Sequence, residues 1–235
     1  MFDGQFAPYQ PMQFEAWHPP GYGLGASIVH THSVALTTNL TTYTFSAASL
    51  GTAATGRRIL VAAGSNTGNS PHTAISSVTV GGNATTAVSG LNLVSSAMAA
   101  GFFILTLDTG TTGDVVVTMG EASRTAGIDV WAIYDLESST PTDTASSQVN
   151  DPSGDLDISA GGVAVGYVVY EPPTTAASTS WTNLTENDDL DWGESNRSQS
   201  GASANFSTAQ TALTITAAIT DAAPVNIQLL LASFR

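Results

Sequence analysis

The sequence has no cysteine and no lysine, and its five arginines (Arg57, Arg58, Arg124, Arg197, Arg235) face nineteen carboxylates for a formal charge of −14. Without cysteine there is no disulfide framework, no thiolate zinc site and no cysteine nucleophile. A surface that binds phosphates by counterion release needs clustered positive charge, and this chain carries the opposite field. Direct nucleic-acid partners and anionic membranes are therefore not expected. Long apolar runs are also missing: "MAAGFFIL" and "GGVAVGYVVY" fall short of the roughly 20 residues that span a bilayer. The first residues have neither a basic n-region nor an apolar h-region, so no secretory signal is expected.

What is abundant is threonine, serine, glycine, alanine and valine, a mixture that favours sheet over helix. Short β-rich runs alternate with glycine clusters. "TTYTFS" places Tyr43 and Phe45 on one face by period-two spacing, and "RRILVAAG" reads as a strand covered on both sides. "ISSVTVGGNATTAVSG" reads as a hairpin turning at Gly81 and Gly82, and "GFFILTLDTGTTGDVVVTMG" as a second. "GIDVWAIYDL" puts Ile128, Val130, Ala132 and Tyr134 on one face and Trp131 and Ile133 on the other. The polar "LESSTPTDTASSQVNDPSGD" reads as a long loop, and "EPPTTAASTSWTNLTENDDLDWGESNRSQSG" as the least regular and most acidic stretch. "ALTITAAIT" again alternates, through Leu213, Ile215, Ala217 and Ile219. The expected fold is all-β, a two-sheet antiparallel β-sandwich of jelly-roll type over residues 27–235.

Residues 1–26 have a different texture. "MFDGQFAPYQPMQFEAWHPPGYGLG" interleaves Phe2, Phe6, Tyr9, Phe14, Trp17 and Tyr22 with proline, glycine and glutamine. That pattern is too broken for a helix and too irregular for a strand. It reads as an extended arm, jointed to the body by Gly21, Gly23 and Gly25, whose aromatic rings can each bury a large apolar area in a partner. The alternative is that the arm folds back and covers an apolar edge of its own body.

Four segments, "ISSVTVGGNATTAV", "GFFILTLDTGTTGDVVVTMG", "GIDVWAIYDLESSTPTDTAS" and the terminal "LLLASFR", resemble in that order the β-sandwich virion proteins of tailed phages and of gene transfer agents of marine alphaproteobacteria. The resemblance spans about residues 57–235 and rests on strand and turn texture. It implies a head decoration, head spike or fibre, or tail-tip component, located in the virion, assembled in the host cytoplasm and working as a homo-oligomer among other virion proteins. It transfers no functional residue, and the arm lies outside it.

Chemistry-bearing patterns are few. "VHTHS" places His30 and His32 two apart, hence on one face of a strand, where such a pair can hold a metal; two polar edge histidines are the plainer reading. "ENDDLDWGE" gathers Asp188, Asp189 and Asp191 near Trp181 and Trp192. An acidic loop of this kind suits calcium, or a sugar platform in which tryptophan faces stack and carboxylates bond hydroxyls. There is no G-x-S-x-G elbow and no spacing that selects a triad, so neither an enzyme nor a cofactor is expected. Arg57 and Arg58 are expected to pair with carboxylates. The leading reading is a capsid-associated decoration or spike fastened by its arm. A tail-tip or fibre module recognising a host surface glycan is the alternative.

Overall fold

The computed structural model describes residues 25–67, 72–172, 177–193, 197–220 and 224–235; the six aromatics of the arm lie outside them. The described residues form seventeen strands in four sheets, every pairing antiparallel, with no helix among them and hence none able to cross a membrane. The all-β sandwich expected from composition is present, but it has four layers rather than two.

The layers divide into two halves of the chain. The first contains β1 (Ser27–Leu36), β2 (Leu40–Ser49), β3 (Arg58–Asn66), β4 (Ile75–Val80), β5 (Asn83–Ala84), β6 (Thr86–Val94), β7 (Met98–Thr106), β8 (Thr112–Ser123) and β9 (Thr125–Tyr134). The second contains β10 (Asp143–Ser147), β11 (Ser153–Ile158), β12 (Gly162–Glu171), β13 (Thr179–Thr182), β14 (Thr185–Asp191), β15 (Ser198–Phe206), β16 (Gln210–Ile219) and β17 (Val225–Phe234).

In the first half the sheets run β1-β9-β3-β7-β6 and β2-β8-β4-β5. β1 pairs with β9, β2 with β8 and β3 with β7, as if one long hairpin had been rolled up, which is the winding of a jelly roll. The second half repeats it. Its sheets run β10-β17-β12-β15-β14 and β11-β16-β13, so β10 takes the place of β1, β11 of β2, β12 of β3, β13 of β4, β14 of β6, β15 of β7, β16 of β8 and β17 of β9. The chain is a tandem of two jelly rolls.

The two five-stranded sheets face each other. β1 lies over β14 and β15, while β6 lies by β10 and β17. Each edge strand thus meets the counterpart of the opposite edge, as in a two-fold pseudo-dimer within one chain. Three apolar cores fill the four layers. One packs Tyr43, Phe45, Val61, Val117 and Val130 inside the first roll, and another packs Leu156, Val168, Ile215 and Leu229 inside the second. The third is the seam, where Leu60, Phe102 and Trp131 meet Val165, Tyr167 and Phe234. Strands with continuous apolar runs occupy the inner sheets because both their faces are covered. In β9, Ile128, Val130 and Ala132 point into the first roll, and Trp131 and Ile133 point into the seam.

Several local expectations change. The Gly81–Gly82 turn is present with φ of +56° and +79°, as a primed hairpin turn requires. The strands of "GFFILTLDTGTTGDVVVTMG" form as expected but lie in opposite sheets, so the segment is a crossover and not a hairpin. The polar "TPTDTAS" region supplies edge strand β10, and the acidic stretch supplies β13 and β14. An edge strand needs only one apolar face, and β14 leaves Glu186, Asp189 and Asp191 exposed while Asp188 turns inward, which is why its sequence reads as a loop.

Candidate functional site

The seam carries a polar cluster at the crossing of β1, β9 and β14. Asp129 sits in the middle of β9 among apolar neighbours, and its side chain is fully buried. On β1 the pairing with β9 slips by one residue at Thr31: His30 stands opposite Trp131 and His32 opposite Val130. The bulge redirects the chain. His30 and Ser33 therefore face the seam with Asp129, whereas His32 shares the face of Val130, towards the first roll's own core. The expectation that His30 and His32 share a face fails because period-two spacing assumes an unbroken ladder.

His30 Nε2 lies 3.3 Å from Asp129 Oδ1 and 3.9 Å from Asp188 Oδ1. Asp188 comes from β14, so the two jelly rolls each contribute to the cluster. Ser33 Oγ donates to Asp188 Oδ2 at 2.5 Å and the Gly201 amide to Asp188 Oδ1 at 3.1 Å. Asp129 Oδ2 is buried and, with both carboxylates ionised, has no hydrogen-bond donor; a proton on Asp188 would supply one. Position 201 must be glycine for this to fit, because a Cβ there would stand 2.6 Å from Asp129 Oδ2 and 2.8 Å from Asp188 Oδ1. The His30 ring lies edge-on to Trp131 at 5.4 Å. Trp131 Nε1 and Ser203 Oγ both donate to Asn187 Oδ1 at 2.8 Å.

The electrostatics follow from two carboxylates sharing a nearly dry space. Burial, followed by the charge of Asp129, pushes Asp188 up to about 7. Burial opposes protonation of His30, but the hydrogen bond and charge of Asp129, with Asp188 beyond, outweigh it and hold the ring above its usual value. The arrangement can hold a shared proton or a cation.

A second knot lies alongside. Gln199 of β15 accepts from Trp192 Nε1 at 2.9 Å and Tyr167 Oη at 3.1 Å, and donates to the Ile128 carbonyl at 3.1 Å across the seam. Trp192 rests where Gly64 and Gly127, partners in the β3–β9 ladder, leave the first inner sheet bare. A Cβ at Gly127 would be 2.7 Å from the indole nitrogen.

These placements separate the residues of the acidic stretch. Trp192 is 2 % exposed and belongs to the seam, while Trp181 packs on the core of the second roll and bonds Ser200 Oγ at 2.9 Å. The two rings lie on opposite faces of one sheet and form no shared sugar platform. Asp188 turns into the seam, Asp189 accepts from the Thr179 amide at 3.0 Å, and Asp191 accepts from Gly193 N at 2.8 Å. Alternation along β14 splits them, so they do not converge on a calcium ion. The signal that sequence reading missed is Asp129 itself, a lone carboxylate inside an apolar strand covered on both sides, which must find a partner.

Elsewhere, a shallow groove of about 700 Å³ is lined by small polar residues, including Asn83, Thr86, Ser89, Thr106 and Ser139. Its lining contains neither an aromatic ring nor a carboxylate. Fold and seam together define a tandem jelly roll joined through a buried polar cluster. No family model matches the chain, and neither a curated protein nor a solved structure matches it.

Proposed function

We propose that this chain is a non-enzymatic structural component of a phage-type virion, a capsid-associated decoration or spike whose tandem jelly-roll body is fastened by its N-terminal arm. The observation that carries the reading is the fixed root of that arm. Ala26 N donates to the Gly161 carbonyl at 2.8 Å, and Gly25 is so close to Gly161 that a Cβ would lie 2.8 Å from its Cα. Arg235 Nη1 donates to the same carbonyl at 3.1 Å. Gly25 and Ala26 are therefore packed against the second roll, and the chain leaves the body at a defined point. Aromatic side chains on a segment of low conformational entropy are efficient interface anchors.

A homo-oligomer accompanies this reading. Val94, Val149 and Val225 are among the few large apolar side chains left exposed. Contacts from Gln148 to the Val94 carbonyl and from Ser96 to Asn226 bring their neighbourhoods to one edge of the body. The occupant of that edge is a second copy, and the mass of the protein in solution tests it: Val94→Asp with Val149→Asp converts an oligomer to a monomer. The arm is tested by deleting residues 2–22 and quantifying the chain in purified particles. Loss of incorporation with an unchanged melting temperature is expected, and undiminished incorporation contradicts the proposal.

A further inference from the structure

We propose that His30, Asp129 and Asp188 bind one divalent cation of the zinc type at the seam, tying the first jelly roll to the second. Their ligating atoms all lie within 4.8 Å of one another. Tetrahedral zinc with bonds of about 2.0–2.1 Å sets its ligands about 3.3 Å apart, and the His30–Asp129 separation is already 3.3 Å. Asp188, at 3.9 Å from the ring nitrogen, needs a contraction of about 0.6 Å to reach that spacing, within reach of a side chain on an edge strand.

Independent observations point to a ligand. With both carboxylates ionised, Asp129 Oδ2 is fully buried, has no hydrogen-bond donor and faces the same space as Asp188 Oδ1, where Gly201 lacks a Cβ; only a proton shared with Asp188 or a cation can satisfy it. Two carboxylates balance the charge of one divalent ion, which removes the cost of burying them together. An outer shell is also built around Asp188, held by Ser33 Oγ and the Gly201 amide. Metal-bound imidazole and carboxylate groups are oriented in this way. The donor set is one imidazole nitrogen and two carboxylates, which suits zinc or a neighbouring first-row ion and falls short of the six to eight oxygens calcium takes. The ring of His30 and the side chain of Asp188 keep 17 % and 14 % of their surface exposed, giving the ion an entrance at the β1–β14 crossing.

The test uses the full chain, stripped with a chelator and titrated calorimetrically with zinc chloride, then with calcium chloride. One zinc per chain is expected, with a melting temperature that climbs with zinc concentration. His30→Gln and Asp129→Asn should each weaken zinc at least about 100-fold, and Ser33→Ala about tenfold. Asp129 is buried deeply enough that its variant can fail to fold. His30 lies at the rim, so His30→Gln keeps the test decisive. No stoichiometric zinc uptake, uptake unchanged in folded His30→Gln, or calcium bound in preference to zinc would each overturn the proposal.

Discussion

Arg57 is fully buried, and its five N–H groups all end on main-chain oxygens: Nε on Leu107, Nη1 on Leu50 and Gly51, Nη2 on Thr109 and Gly110. The expectation of a carboxylate partner fails here because the bends before β3 and after β7 turn their carbonyls inward, and only a guanidinium has enough donors to meet them. Arg57→Met leaves those oxygens unpaired and should cost about 3–5 kcal/mol, measured by urea unfolding. His72 makes a second residue-scale prediction. Its Nδ1 accepts from Thr73 N at 2.8 Å and its Nε2 meets Ser65 Oγ at 3.0 Å. Burial lowers its affinity for a proton despite the nearby Glu121. The unfolded chain protonates this ring at about pH 6.5 while the folded one resists, so the His72 contribution falls as pH drops from about 7 towards 5. Asp188 and His30, both shifted upwards, act with the opposite sign in metal-free protein: each contribution is present in acid and fades as pH rises, that of Asp188 as pH climbs to about 7 and that of His30 as pH passes its raised value. The difference in unfolding midpoint between the parent and His72→Gln isolates the first effect, with the parent losing more on acidification.

At the scale of elements, the seam is held by complementary shapes. Gly64 and Gly127 open a flat window in the first inner sheet, and Trp192, on the turn after β14, fills it while bonding Gln199. Trp192→Ala should therefore destabilise the protein by about 3–5 kcal/mol. A sugar-binding surface residue would show little change in the same chemical melt. The strands most legible in the sequence were those with one dominant rule: β3 and β9 by continuous apolar cover, β16 by alternation, and the Gly81–Gly82 turn by composition. Three features were hidden for distinct reasons. The bulge at Thr31 leaves no mark on the spacing of His30 and His32. β14 carries its carboxylates at an edge. The candidate site draws its ligands from strands 99 and 59 residues apart along the chain, in the order His30, Asp129, Asp188, and no local pattern encodes that convergence.

At the scale of the molecule, the doubling was illegible because the halves share strand order and winding without sharing an obvious sequence repeat. Side-chain periodicity reports whether a face is covered, and it is silent on how many layers do the covering. The seam core draws on both halves, so neither roll is complete alone. A chain ending at residue 138 would expose Leu60, Phe102, Ile104 and Trp131 from one inner sheet, and should bind hydrophobic dyes and aggregate. The parent should unfold in a single transition. The functional reading rests on the arm, with the body as its rigid mount. Its most direct test is transfer: residues 1–26 are fused to an inert fluorescent carrier, and the carrier is quantified on purified particles made without the native chain. The account predicts that the fusion co-purifies with particles at a fixed stoichiometry and that replacing the six aromatics with serine abolishes this. A carrier that stays free while the native chain is incorporated would contradict it.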